Sequence, residues 1–206
     1  ILRTLRLVKT GGEKGEYSWV NKIGLRNPGI ETGLKEYNHK TDVISIVILK
    51  QEDIGELNRR IPRKTNSEIN VSCPNAEHEM VSSGISVFLN PEREWCCVKL
   101  SPLTENRFID KLYEQGFRQF HCSNTYPTEK GGMSGRVLVP HTSRLTEYIS
   151  NTYPDAEIVA GGGIYEYSTL MQYQNLGAQH FSVSTIFFHP FRAVRLFYDI
   201  ANCGAR

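Results

Sequence analysis

The sequence is short of the features that would place it quickly. No apolar run reaches the ~18–20 residues that a membrane-crossing helix needs, and the longest, Val43 to Leu49, is strand-sized. Net charge is almost absent, with Lys+Arg 24 against Asp+Glu 22. That balance argues against a nucleic-acid partner and leaves small ligands open. Cysteine is sparse and odd in number: Cys73, Cys96, Cys97, Cys122 and Cys203, none of them in a C-x-x-C pair. A disulfide framework and a metal cluster are therefore poorly supported, and a reduced, cytoplasmic compartment is expected. There is no signal peptide, and the chain opens at Ile1 without methionine, so its start is read as processed, cut or missing. Its 206 residues suffice for one sizeable domain, and 1–206 is read as one.

What is present is alternation. Residues 3–8 and 16–20 flank Gly11-Gly12-Glu13-Lys14-Gly15 and read as a hairpin with a loose turn, followed by a loop over 21–29. From residue 43 onwards, β-branched or apolar runs at 43–49, 68–73, 95–100, 117–123, 157–160 and 180–184 read as strands. Between and after them lie helical patterns. One covers 51–61 and stops at Pro62; a weaker one runs through 79–89; a third spans 104–115, with Thr104 as N-cap and Gly116 as its stop. Others follow Pro140 (burying Leu145 and Ile149), carry Leu170 and Tyr173 up to Gly177, or start at Pro190 with Phe191, Val194, Phe197 and Tyr198. The stretch through Gly131–Gly135 reads as an irregular loop. Six strand–helix units in strict alternation predict a parallel sheet. The candidates are a doubly wound sheet and a (β/α)8 barrel, and in a barrel two strands would be unaccounted for.

In either fold the carboxyl ends of the strands share one face, where ligands bind. Strand 68–73 brings Asn70, Cys73 and Asn75 to that face. Cys73 is either a reactive thiol between two amides or a buried structural cysteine between turn-forming asparagines. Strand 95–100 brings Lys99, the one charge in an apolar run, which must meet an anion, pair with Glu157 or reach out to water. Asn124 and Thr125 follow the next strand and either contact a ligand or cap a loop. Gly161-Gly162-Gly163 and Ser184-Thr185 end the last two strands, where phosphate is commonly cradled; a ligand-free tight turn is the other reading of the glycines.

Taken together, Asn21-Lys22-Ile23-Gly24, the segment Asn70 to Asn75, Val98 to Pro102, Ser123-Asn124-Thr125, Gly131 to Gly135 and Gly161 to Ile164 resemble the successive motifs of the dihydroorotate dehydrogenases. The resemblance runs over residues 19–198. It implies an FMN-dependent (β/α)8 TIM-type barrel that oxidises dihydroorotate to orotate in pyrimidine biosynthesis. By position, it implies that Cys73 is the general base and that Lys99 stands by the flavin N1 and O2. Asn21, Asn70, Asn75, Asn124 and Thr125 would hold the pyrimidine, and Gly135, Gly162, Gly163, Ser184 and Thr185 the FMN phosphate. A homodimer and an electron-transfer partner subunit are implied too, and the cysteine base looks closest to the family's soluble branches, with no membrane span visible. The chain departs from the pattern in two places. The family's first two βα units have no counterpart before Ile1, and the segment between Asn75 and Trp95 is short. Two other readings stand beside this one: an FMN oxidoreductase for another dihydropyrimidine, and a non-catalytic barrel relative serving as a binding or assembly module. The electron acceptor is not legible.

Overall fold

A computed structural model describes residues 8–9, 17–22, 28–48, 50–71 and 84–203. Its centre is a parallel sheet of six strands: β3 (Ile44–Val47), β4 (Ser67–Asn70), β5 (Cys96–Lys99), β6 (Gln119–Cys122), β9 (Glu157–Gly161) and β10 (His180–Ser182). They lie side by side in chain order. A doubly wound sheet must reverse its order at a switch point, whereas a barrel wall never does. The fold is thus an incomplete α/β barrel of the TIM type, with β3 and β10 as the outer strands of the six.

Alternation along the strands divides this wall into two chemically different faces. Ile46, Ile69, Val98, Phe120 and Ile158 occupy one face and are essentially removed from water. Helices cover that face: α2 (Asp53–Arg60), α3 (Asn106–Glu114), α4 (Val139–Thr152) and α5 (Tyr167–Asn175). Each contributes a few apolar residues: Ile54 from α2, Ile109 and Leu112 from α3, Leu145 and Ile149 from α4, Leu170 and Tyr173 from α5. The opposite face carries Glu68, Asn70, Cys97, Lys99 and His121. A wall that is apolar on its helix side and polar inside is what a ligand-holding barrel requires.

Several elements differ from the sequence reading. Gly131–Gly135 is not an irregular loop but strand β8, which pairs antiparallel with β2 (Ser18–Asn21) and with β7 (Tyr126–Thr128). Its glycines allow the backbones to meet: a Cβ on Gly135, which sits at φ +110°, would lie 1.9 Å from the Tyr17 carbonyl oxygen. The hairpin exists as β1 (Val8–Lys9) against β2, which completes a four-stranded antiparallel sheet. A short helix, α1 (Ile30–Glu36), was not anticipated; it buries none of its residues, so no apolar stripe marks it. Thr104 does not cap α3, which begins at Asn106 after Glu105; instead the Thr104 carbonyl accepts a hydrogen bond of 2.7 Å from Arg144 Nη2. Of the weak helix at 79–89, Ile85–Phe88 forms a 3-10 turn and residues 79–83 lie outside the described ones. The last helix, α6 (Pro190–Cys203), buries Ala193 and Leu196, while the residues that mark it in sequence point outward, Phe191 at 90% exposure and Val194 at 70%.

Candidate active site

Parallel pairing brings the polar strand ends together. Asn70 on β4 is level with Lys99 on β5, and Lys99 is level with His121 on β6. The chain leaving β6 turns back over these ends, with Asn124 N–H donating to the Leu100 carbonyl at 2.9 Å. Asn124 Nδ2 then donates to Asn70 Oδ1 at 3.3 Å, and Asn124 Oδ1 accepts the N–H of Thr125 at 2.9 Å. Thr125 lies against Gly132, where a Cβ would come within 2.3 Å of its hydroxyl. The Gly132 carbonyl in turn accepts a bond of 3.4 Å from Asn21 Nδ2. Asn21, Asn70, Asn124, Thr125 and Lys99 are therefore one connected cluster, although they span more than a hundred positions of sequence. Cys73 and Asn75 lie outside the described residues.

Lys99 does not pair with Glu157. That carboxylate opens β9, at the amino end of the sheet, and accepts a bond of 2.7 Å from Gln119 Nε2. Nor does the amine simply reach out to water. Lys99 Nζ lies 3.4 Å from Glu68 Oε1, with the two side chains 23% and 12% exposed. Glu68 Oε2 is 2.5 Å from His121 Nδ1, and Ser45 Oγ donates to Oε1 at 2.6 Å. Burial pushes the Glu68 carboxyl upward. The hydrogen bond with His121, the charges of Lys99 and His121 and the bond from Ser45 outweigh burial and hold the group down at about 2. Ser45, Glu68 and His121 are polar residues of this site that the sequence reading missed. The signal was faint: Glu68 falls on the same strand face as Asn70, two residues earlier.

The second half of the site is formed by the ends of β9 and β10. Ser182 is level with Gly161, so the turns that follow, Gly162-Gly163 and Ser184-Thr185, leave adjacent strands. Gly162 and Gly163 sit at φ +101° and +73°, a backbone conformation that side-chain-bearing residues rarely adopt. A Cβ on Gly163 would approach the Gly135 carbonyl to 3.0 Å, so Gly135 and Gly163 are neighbours. The turn is held from behind by the Tyr173 hydroxyl, which donates to the Gly162 carbonyl at 2.7 Å, and Thr185 Oγ1 accepts from Tyr165 at 2.7 Å. Gly135, Gly162, Gly163, Ser184 and Thr185 thus share one end of the sheet with Lys99.

Burial raises the thiols of Cys96, Cys97 and Cys122, the last to about 12. All three are inert as bases near neutrality. Among the described residues no group of His, Cys, Asp and Glu side chains is placed to hold a metal ion. Likewise, no described helix is long and apolar enough to cross a membrane.

In chemical terms this is a barrel-type site: side-chain amides and a lysine at the strand tips, with the Gly162-Gly163 turn and the Ser184-Thr185 turn beside them. Comparison with known proteins gives the following similarities. No family model matches the chain. The catalytic subunit of dihydroorotate dehydrogenase B (NAD(+)) from Petrotoga mobilis is 27% identical over 81% of this chain and 66% of its own length. The corresponding protein of Brachyspira hyodysenteriae is 26% identical over 98% of this chain and 80% of its own. A putative dihydroorotate dehydrogenase A (fumarate) of Aquifex aeolicus is 26% identical over 89% and 72%. Among solved structures, the Eimeria tenella dihydroorotate dehydrogenase in complex with ferulenol superposes with a TM-score of 0.70 over 90% of this chain and 67% of that one, at 19% identity. Over most of its length the chain is thus similar to dihydroorotate dehydrogenases, and it shares their barrel-type fold.

Proposed function

We propose that the chain carries the FMN-dependent site of a dihydroorotate dehydrogenase, oxidising dihydroorotate to orotate. The observation that carries this reading is the convergence of Asn70, Asn124 and Lys99 at neighbouring strand tips, linked by the 3.3 Å amide–amide bond. A planar heterocycle rich in donors and acceptors is matched by amides, which donate and accept at once. The described residues fit FMN. The fixed cation suits the electron-rich edge of an isoalloxazine, and the left-handed turn at Gly162 and Gly163 packs tightly against Leu138 and Val139 beside the strand tip, the kind of turn that cradles a phosphate.

In this reading Lys99 stabilises negative charge that exists only after reduction, the differential binding that lowers a barrier. Bound FMN supplies the two-electron acceptor. Cys73 removes the proton from the substrate carbon, and its thiolate requirement makes activity rise with pH. Asn21, Asn70, Asn75, Asn124 and Thr125 orient the ring, and Gly135, Gly162, Gly163, Ser184 and Thr185 hold the phosphate. A homodimer, an electron-transfer partner and a cytoplasmic setting belong to the same proposal, and so does the treatment of 1–206 as one domain.

The test is direct: purified protein supplied with FMN should show flavin absorbance that dihydroorotate bleaches under anaerobic conditions. Bleaching by another dihydropyrimidine alone would move the substrate and keep the chemistry. A protein that takes up no FMN would overturn the enzyme reading. It would favour a binding or assembly module, which the unshared outer edges of β3 and β10 among the described strands also suit.

A further inference from the structure

A lysine on the inner face of a barrel has several rotatable bonds and, left alone, no reason to occupy one position. At this site Lys99 is tethered. The Glu68 carboxylate reaches it from the adjacent strand, one alternation lower on the same face, with Nζ and Oε1 3.4 Å apart. The carboxylate is itself fixed at both oxygens, by Ser45 Oγ at 2.6 Å on one and His121 Nδ1 at 2.5 Å on the other. Strands β3, β4, β5 and β6 each contribute one member, so the unit spans four neighbouring strands of the wall. His121 also faces the glycine turn: a Cβ on Gly161 would lie 3.1 Å from its Nε2. Burying a carboxylate this deeply is costly and persists only when its charge and lone pairs are met.

We infer that Glu68 is a positioning residue for Lys99: braced by His121 and Ser45, its carboxylate fixes where the Lys99 ammonium sits at the strand end. The inference deepens the flavin reading and rests on it for what Lys99 then does, but the tether itself is a property of the protein alone.

Two measurements separate these layers. In protein without FMN, an amine-reactive reagent with mass-spectrometric readout of the Lys99 peptide reports how freely the amine leaves its place. Glu68→Gln should label several-fold faster than the parent, and Glu68→Asp should recover much of the difference. If Glu68→Gln does not fold, Ser45→Ala, which loosens the carboxylate without removing it, should give a smaller rise in the same direction. Unchanged labelling in folded variants would overturn the tether. In FMN-loaded protein, Glu68→Gln should shift the flavin reduction potential in the parent and leave it unmoved in a Lys99→Met background, because Glu68 acts through the lysine. Equal shifts in both backgrounds would mean that Glu68 acts through its own field, and would overturn the positioning role. Failure to bind FMN would overturn the proposed function while the labelling result still decided the tether.

Discussion

Lys99 and Glu68 lie 3.4 Å apart on neighbouring strands, the charged pair at the centre of an otherwise amide-lined strand end. The pair has a pH signature. Glu68 is held at about 2 against an ordinary value of 4.5. A depressed carboxyl contributes stability that is complete above the unfolded value and is lost as the pH falls toward the folded one. Stability should therefore drop between about pH 4.5 and 2, and on the order of 2–3 kcal/mol of that drop should belong to Glu68. Denaturant unfolding across that window should show the loss in the parent and a flatter profile in Glu68→Gln. Parallel profiles would mean that the carboxyl is not depressed.

The same pair shows where sequence reasoning stops. β5 was legible because Cys96, Cys97 and Val98 form a continuous buried run, and α4 because Leu145 and Ile149 repeat at one helical turn. Lys99 was legible as a charge needing a partner, yet period-2 alternation cannot say which strand lies beside which, and Glu68 is 31 residues away. β8 escaped because Gly131, Gly132 and Gly135 read as loop signals. Their purpose is close backbone approach, visible only once β2 lies alongside. α1 escaped because nothing on it is buried. Barrel against doubly wound sheet was undecidable from alternation alone, since both share it; strand order decides. Cys73 and Asn75 lie outside the described residues, so the base assigned to the resemblance is still a proposal.

The amide pair gives a substrate test. Asn124 donates to Asn70 Oδ1 and accepts from the Thr125 N–H, so it is fixed at both ends. Asn124→Asp keeps the acceptor but removes the donor, and sets a charged oxygen against Asn70 Oδ1. A misplaced hydrogen-bonding group of this kind costs roughly 1–3 kcal/mol. The expected result is dihydroorotate binding weakened about tenfold or more, with FMN uptake retained. Intact substrate binding would remove Asn124 from the ligand shell.

Gly135→Ala tests the close approach of β8 to β2. The substitution would place a methyl group 1.9 Å from the Tyr17 carbonyl oxygen at φ +110°. The backbones must separate or the residue must leave that conformation, and either costs about 3 kcal/mol or more. For a chain of this size the melting temperature should fall by roughly 6–12 °C. Gly33→Ala is the control: no atom lies within 4 Å of the added methyl and its φ is ordinary, so its stability should hold or rise slightly.

Helix α6 supplies the last contrast, because its largest apolar residues face away from the core. Leu196 is 1% exposed and Phe191 is 90% exposed, on the same helix. Truncating Leu196 to alanine removes a buried side chain and leaves a cavity, a loss of about 2–5 kcal/mol. Phe191→Ser removes a ring that touches little, and its stability should stay within about 0.5 kcal/mol of the parent. Thermal unfolding of the two variants at one protein concentration distinguishes them. Size alone would rank phenylalanine as the costlier loss, so the order Leu196→Ala far below Phe191→Ser tests the orientation of the helix rather than its composition. The reverse order would mean that α6 is rotated, bringing Phe191, Val194 and Phe197 inward.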